Sequence, residues 1–322
     1  MRSTRSIALA TLPAAAAIAA WNGYRRAARE LGSQVVASPR IPGRVRALPA
    51  PWGRISYRII PGSDPGPALV LVHGWGRSAD SVWWPLMAHT DRTVVAIDLP
   101  GHGRSILDGK FSFALAADAV IAAVLDSGVV RPILVGHSMG GPVALTAIRR
   151  AGPPDFGGFV AVATSSYWVR PRHQIMVAAA PYALAHNSPI LMRAQRAETR
   201  RAPEQADRIA WEYAMRPPRR VLEEAAGELR RFDARKWADL SLPPAVWIVT
   251  LDDGVIDPDD QRASARHLGI PTIDLRSDHP VVIQAPQNLA SIIEEFSLVC
   301  VRNRPIRIPR RMLRPLGPNR GL

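Results

Sequence analysis

The pentapeptide Gly136-His137-Ser138-Met139-Gly140 sets a hydroxyl between two glycines. It fits G-x-S-x-G, the pattern of a serine carried on a sharp strand-to-helix turn. The reason is steric: so tight a turn leaves no room for side chains two positions away, and only glycine lacks one. The turn pushes the serine oxygen into the open at the start of a helix. Given an imidazole to take its proton, such a hydroxyl attacks carbonyl carbon. The bare pentapeptide is a weak signal, and its context strengthens it. Pro132-Ile133-Leu134-Val135 reads as a buried strand, and the residues from Ser138 to about Ala151 read as a helix stopped by Gly152-Pro153.

Other residues suggest other chemistry and carry it less well. His73, His102 and His137 invite a metal reading, but no carboxylate or thiol set has ligand spacing and there is no H-E-x-x-H. Gly101-x-Gly103 follows a strand, yet Ile106 stands where a dinucleotide loop needs its third glycine, and no Walker-type loop exists. The expectation is therefore no metal and no cofactor. Cys300 is the single cysteine. It allows no internal disulfide, and its place in the apolar run 296–301 favours inert packing at a helix end.

The elements that must position Ser138 follow from hydropathy. Near-continuous apolar runs at 55–60, 68–73, 93–98, 132–136, 159–163, 245–250 and 272–275 read as strands buried on both faces. Helical stretches alternate with them, one over about 113–127 ending before Gly128. The fold class is α/β, a mostly parallel sheet flanked by helices. The alternation breaks over 165–242, which is helical in pattern, with starts marked at Ser188-Pro189, Pro203 and Pro217-Pro218. This stretch reads as a helical cap over the carboxyl edge of the sheet, where ligands bind in such folds. It divides the core into 46–164 and 243–300.

The chain has 322 residues, 47% of them apolar, so it can bury a large interior. Its net charge of +14 is carried almost wholly by arginine. The excess gathers behind the N-terminal apolar stretch and in the tail 301–322, a basic arm rich in Arg and Pro. No nucleic-acid motif accompanies the charge, so no nucleic-acid partner is expected. Residues 1–45 comprise an apolar segment and a linker. Arg2 and Arg5 precede an uncharged, alanine-rich run over 7–21, which suggests export or membrane association, with a cytoplasmic chain as the alternative. The run is shorter than the roughly 20 residues of a full span, and Pro13 interrupts it.

The motif order resembles the α/β-hydrolase family, in particular its capped esterase, lipase and haloperoxidase-like branch, over roughly 52–299. His73-Gly74-Trp75-Gly76 follows a strand as that family's oxyanion loop does. Asp98-Leu99-Pro100-Gly101-His102-Gly103-Arg104-Ser105 is similar to the loop after its next strand, which shapes the site without a catalytic role. The resemblance implies a serine hydrolase with Ser138 as nucleophile and the N–H groups of Trp75 and Met139 as oxyanion donors. It implies an acid and a base later in the chain, in the order Ser, Asp, His. In Leu251-Asp252-Asp253-Gly254-Val255-Ile256-Asp257-Pro258 the family's spacing selects Asp253, with Asp252 as competitor; Asp257 and Asp259 read as solvated or helix-capping. The base is then His279 in Asp278-His279-Pro280, although Asp278 stands where the family has glycine. His267 reads as an ordinary helix residue.

The expected reaction is cleavage of a carboxylic ester of an apolar small molecule or lipid through an acyl-enzyme. Acyl transfer, thioester hydrolysis and C–C bond hydrolysis use the same three residues and stay open, as does a non-catalytic binding protein that kept the fold. Dehalogenase and epoxide-hydrolase chemistry need an aspartate where Ser138 stands. Tyr167, Trp168, Tyr182, Trp211, Tyr213, Met215 and Trp237 lie in the insertion, where they pack the cap or line an apolar pocket.

Overall fold

The structure, a computed structural model, describes residues 41–168, 210, 211 and 213–301, together with 193, 195–197 and 200. The chain enters through a hairpin, β1 (Arg44–Ala50) and β2 (Gly53–Ile60), and continues through β3 (Asp64–Val72), α1 (Ala79–Met87), β4 (Arg92–Asp98) and the short β5 (Ile106–Leu107). Next come α2 (Phe113–Ser127), β6 (Ile133–His137), α3 (Gly140–Ala151) and β7 (Gly158–Val162). After α4 (Arg219–Arg231) follow β8 (Ala245–Thr250), α5 (Pro258–His267), β9 (Thr272–Leu275), α6 (Val281–Gln284) and α7 (Pro286–Val301).

Among the described residues nine strands form one sheet, in the order β1-β2-β4-β3-β6-β7-β8-β9 with β5 on β2. From β4 to β9 every pairing is parallel; β1, β2 and β5 pair antiparallel. The expectation of a mostly parallel sheet flanked by helices holds. Side chains alternate between two cores, as the pleat requires. Val70, Val72, Leu134, Phe159 and Trp247 face the core shared with α2, α3 and α4. Leu69, Leu71, Val135, Val160 and Val246 face the core closed by α1, α6 and α7. Parallel pairing brings the carboxyl ends of β3, β6, β8 and β9 to one edge, so the loops that follow them meet there.

All seven strands read from hydropathy are present, with ends shifted by a few residues. The strand β1 escaped because most of its side chains are exposed; its register with β2, from Arg44 opposite Ile59 to Ala50 opposite Gly53, rests on backbone pairing. Pro85 lies inside α1 and masks its helical pattern, although Ser78 and Ser81 cap that helix reciprocally. The helix α2 stops at Gly128 with φ 74°, a left-handed turn glycine adopts readily.

Of the stretch 165–242, the starts at Ser188-Pro189 and Pro203 lie outside the described residues, and so does Tyr182. Pro217-Pro218 does open a helix: α4 begins directly after Pro218. This helix buries Val221, Ala225, Ala226 and Leu229 in the main core. Its Glu224 and Glu228 accept the backbone N–H groups of Phe111 and Phe113 at 2.8 and 2.9 Å. Tyr167, Trp168 and Tyr213 are buried, which favours packing for these three. The apolar run at 7–21 and nearly all of the basic tail also lie outside the described residues. Among those described, no helix is long and apolar enough to cross a membrane. Cys300 ends up against Phe296 and Gly158 near the end of α7, and burial pushes its thiol up to about 12, which keeps it unreactive at neutral pH.

Candidate active site

Ser138 stands between β6 and α3 with φ 53°, a left-handed conformation that is strained for any residue with a Cβ. Three hydrogen bonds hold it there. Its N–H donates to the Val162 carbonyl at 3.0 Å, and its carbonyl accepts from Gly141 N–H at 3.0 Å and from the Thr164 hydroxyl at 2.6 Å. The flanking glycines are required by contact: a Cβ at residue 136 would lie 2.5 Å from the Gly140 oxygen, and one at residue 140 would lie 2.1 Å from the Val72 oxygen. The loop after β3 also comes near. A Cβ on Gly74 would come within 3.1 Å of the Ser138 Cβ. Met139, expected to give an oxyanion N–H, is the N-cap of α3, where the helix dipole favours negative charge. Trp75, the other expected donor, has its side chain anchored to α4, the indole N–H donating to the Leu222 carbonyl at 3.1 Å.

His279 comes to Ser138 from 141 positions downstream, its Nε2 3.0 Å from the Ser138 Oγ. Its Nδ1 lies 3.0 Å from Asp253 Oδ2. A proton on Nδ1 shared with the carboxylate leaves Nε2 free to accept from serine. Asp253 and not Asp252 makes this contact. Asp252 is exposed, and its N–H donates to the Ser277 carbonyl at 3.0 Å. The Asp253 side chain is fully shielded, and the turn after β8 is wrapped around it. Oδ1 accepts from the N–H groups of Val255 and Ile256, both at 2.8 Å; Oδ2 accepts from the Thr250 hydroxyl at 2.8 Å and from Gln261 Nε2 at 3.1 Å. Burial works against the charge of Asp253, but the contact with His279 and these donors outweigh it and hold the carboxyl below its ordinary value. Gln261, a helix residue without a motif, gave no signal in the sequence. As read, Asp257 caps α5 by accepting from Asp259 N–H, Asp259 is exposed, and His267 lies exposed at the helix end.

The three crowded histidines play structural parts. His73 Nδ1 donates to the Gly74 carbonyl at 2.8 Å while Nε2 accepts from Leu99 N–H at 3.0 Å, so the ring is neutral and pins the loop after β3 to the loop after β4. His102 Nδ1 donates to the Pro100 carbonyl at 3.0 Å. His137 Nε2 donates to the carbonyl of His279 at 2.9 Å and so holds the backbone of that residue. Among the described residues no group of three or more His, Cys, Asp or Glu gathers as metal ligands.

A profile described as "Alpha/beta hydrolase family" matches residues 69–292, which is more than half of the chain. The chain belongs to the alpha/beta hydrolase family. Among related sequences, a pimeloyl-[acyl-carrier protein] methyl ester esterase of Methylococcus capsulatus is 44% identical over 92 residues, 28% of this chain and 34% of that protein. Protein phosphatase methylesterase 1 of Mus musculus is 33% identical over 144 residues, covering 35% of this chain and 36% of its own. The chain thus spans about a third of the length of these curated relatives. Among solved structures, a thermophilic esterase from Thermogutta terrifontis aligns with TM-score 0.64 at 21% identity, covering 80% of this chain and 99% of that one, which shows a shared α/β-hydrolase fold.

Beside Ser138 this α/β-hydrolase chain has a cavity of about 80 Å³ walled by Gly74, Trp75, Val82, Pro280, Val282 and Ile283, with Arg77 also on its lining. A wider, open groove of about 1110 Å³ lies at the amino ends of the strands, lined by Gly66, Arg92, Val130 and Leu298, away from all three triad candidates. The smaller cavity is the one that touches reactive groups.

The buried histidines make the fold acid-sensitive. Burial lowers all three: His73 well below its ordinary value, His102 to about 4, and His137 to about 3, the last also through the charge of His279. Their ordinary value is 6.5, so the unfolded chain takes up protons first and stability falls as pH drops below that value. Asp98 opposes them, because burial raises its carboxyl to about 6 and the folded chain binds that proton first. Urea unfolding is expected to show a marked loss of stability from pH 6 to pH 5; a flat profile would refute the neutral, buried state of these rings.

Proposed function

We propose that the chain is a serine esterase that cleaves carboxylic esters carrying an apolar group through an acyl-enzyme intermediate. The observation that carries this reading is the continuous relay Ser138 Oγ, His279 Nε2, His279 Nδ1, Asp253 Oδ2, with both contacts at 3.0 Å. In this reading His279 takes the proton of Ser138 as its oxygen attacks the ester carbonyl, then delivers that proton to the departing alcohol. Asp253 keeps the Nδ1 proton in place and stabilises the imidazolium that forms. The developing oxyanion is met by the N–H groups of Trp75 and Met139; one such donor is typically worth about 10²–10³ in rate. Water then attacks the acyl-enzyme by the same route in reverse.

The methyl ester esterase and the methylesterase among the partial relatives support ester bonds as the target. Val82, Pro280, Val282 and Ile283 support an apolar group next to the reacting carbonyl. The cavity is far smaller than the roughly 300–1,000 Å³ of a site that encloses a whole ligand, so it suits one small part of the ester. A serine-directed phosphonate is expected to label the intact protein once per chain, and nitrophenyl esters of graded chain length are expected to be hydrolysed in a phosphonate-sensitive way. Folded protein that neither takes the label nor cleaves any ester of the series would refute the reading.

A further inference from the structure

Asp278 occupies the position where the family resemblance leads one to expect glycine, and its carboxylate is in use. One oxygen, Oδ1, accepts two backbone N–H groups: that of His279 at 2.6 Å and that of Gly254 at 3.0 Å. These amides belong to the base itself and to the residue directly after the acid. The geometry points to Asp278 as a positioning residue that locks the base loop to the acid turn. The inference rests on the esterase reading above for its kinetic arm only.

The neighbouring backbone shows why a lock is needed at this point. The parallel pairing of β8 with β9 ends at Thr250 opposite Leu275. Hydrogen bonding continues past it, with Leu251 N–H donating to the Leu275 carbonyl and Asp252 N–H to the Ser277 carbonyl, both at 3.0 Å. The chains then diverge. The next hydrogen bond, from Gly254 N–H, is completed by the Asp278 side chain instead of a main-chain carbonyl. Glycine at residue 278 has no atom to make that bond.

A backing set holds Asp278 itself. Gln284 Oε1, at the end of α6, accepts from Asp278 N–H at 3.2 Å and from the Ser277 hydroxyl at 3.0 Å. His279 is thereby fixed on three sides: its N–H by Asp278, its carbonyl by His137, and its ring by Asp253. Asp278 does not touch the reacting atoms. It acts by keeping the imidazole where both 3.0 Å contacts are made, and a displacement of about 1 Å in such a group can cost on the order of 10² in rate.

Asp278 is exposed, so its replacement leaves no cavity and the fold is not at risk. Asp278→Gly, Asp278→Ala and Asp278→Asn are compared with the wild-type chain on a nitrophenyl ester. Glycine and alanine are expected to lower kcat by about 10²-fold with KM within about twofold. Asparagine keeps an oxygen acceptor and is expected to restore most of the rate. An activity-independent arm follows the downfield Nδ1–H proton resonance of His279 against Asp253. That resonance is expected in wild type and Asp278→Asn, and it should broaden or vanish in Asp278→Ala. Wild-type kcat and an unchanged resonance in Asp278→Ala would overturn the proposal, as would a loss that asparagine does not restore or one confined to KM. Should the wild-type chain cleave no ester, the esterase reading fails and the resonance alone decides the role of Asp278.

Discussion

Replacing Ser138 by alanine is expected to abolish phosphonate labelling and to lower ester turnover by about 10⁶, the scale on which triad nucleophiles act. The effect follows from what the change removes and what it leaves. Alanine has the same Cβ as serine, so the left-handed strain at φ 53° is unchanged, and the three hydrogen bonds that fix residue 138 use only its backbone. The turn, the cavity and the His279–Asp253 pair all survive; only the attacking oxygen is lost. Active-site titration and steady-state turnover, read alongside a thermal melt matching that of the wild type, make the measurement. A variant that still labels, or still turns over at more than about a hundredth of the wild-type rate, would place the nucleophile elsewhere.

The second large effect is expected at Asp253. Asparagine there offers an N–H where Nδ1–H needs an acceptor, which favours the imidazole tautomer that cannot take the proton of Ser138. A loss of about 10⁴ in kcat is expected. The shell around Asp253 sharpens this, because Val255 N–H, Ile256 N–H and the Thr250 hydroxyl all need oxygen acceptors. The adjacent Asp252→Asn, exposed and engaged only through its backbone N–H, is expected to stay within about threefold of wild type, since surface changes away from such features do little. Equal losses at the two positions would contradict the assignment. Measuring kcat and KM for both variants side by side decides it.

The pattern of residue types made part of this molecule legible before any coordinates. The parallel strands announced themselves because burial on both faces demands unbroken apolar runs, as in Ala245–Thr250. The elbow was legible because Gly136 and Gly140 have no room for a Cβ, a constraint that leaves its mark on residue identity. Other features left no mark. The edge strand Arg44–Ala50 is held by backbone pairing and tolerates nearly any outward side chain, so its composition says little. The support around the candidate acid was equally silent. Gln261 lies on α5 among charged residues and looks like surface, yet it is fully buried and donates to Thr250, Asp253 and the Ile256 carbonyl. The family's spacing pointed to Asp253 over Asp252, but what brings that carboxylate to His279 is the path of the turn itself. Adjacent residues of one type differ only in which way the chain turns them, and that is set by Val255 and Ile256 folding back onto one carboxylate.

The attachment of α4 bears on how the substrate range of this chain could be re-engineered. Because Val221, Ala225 and Leu229 are part of the main core, and Trp75 reaches across to the Leu222 carbonyl, exchanging everything between residues 165 and 242 for the matching portion of a relative would strip the hydrolase body of a wall. A chimera with its splice points after Trp168 and before Pro217 leaves that wall in place.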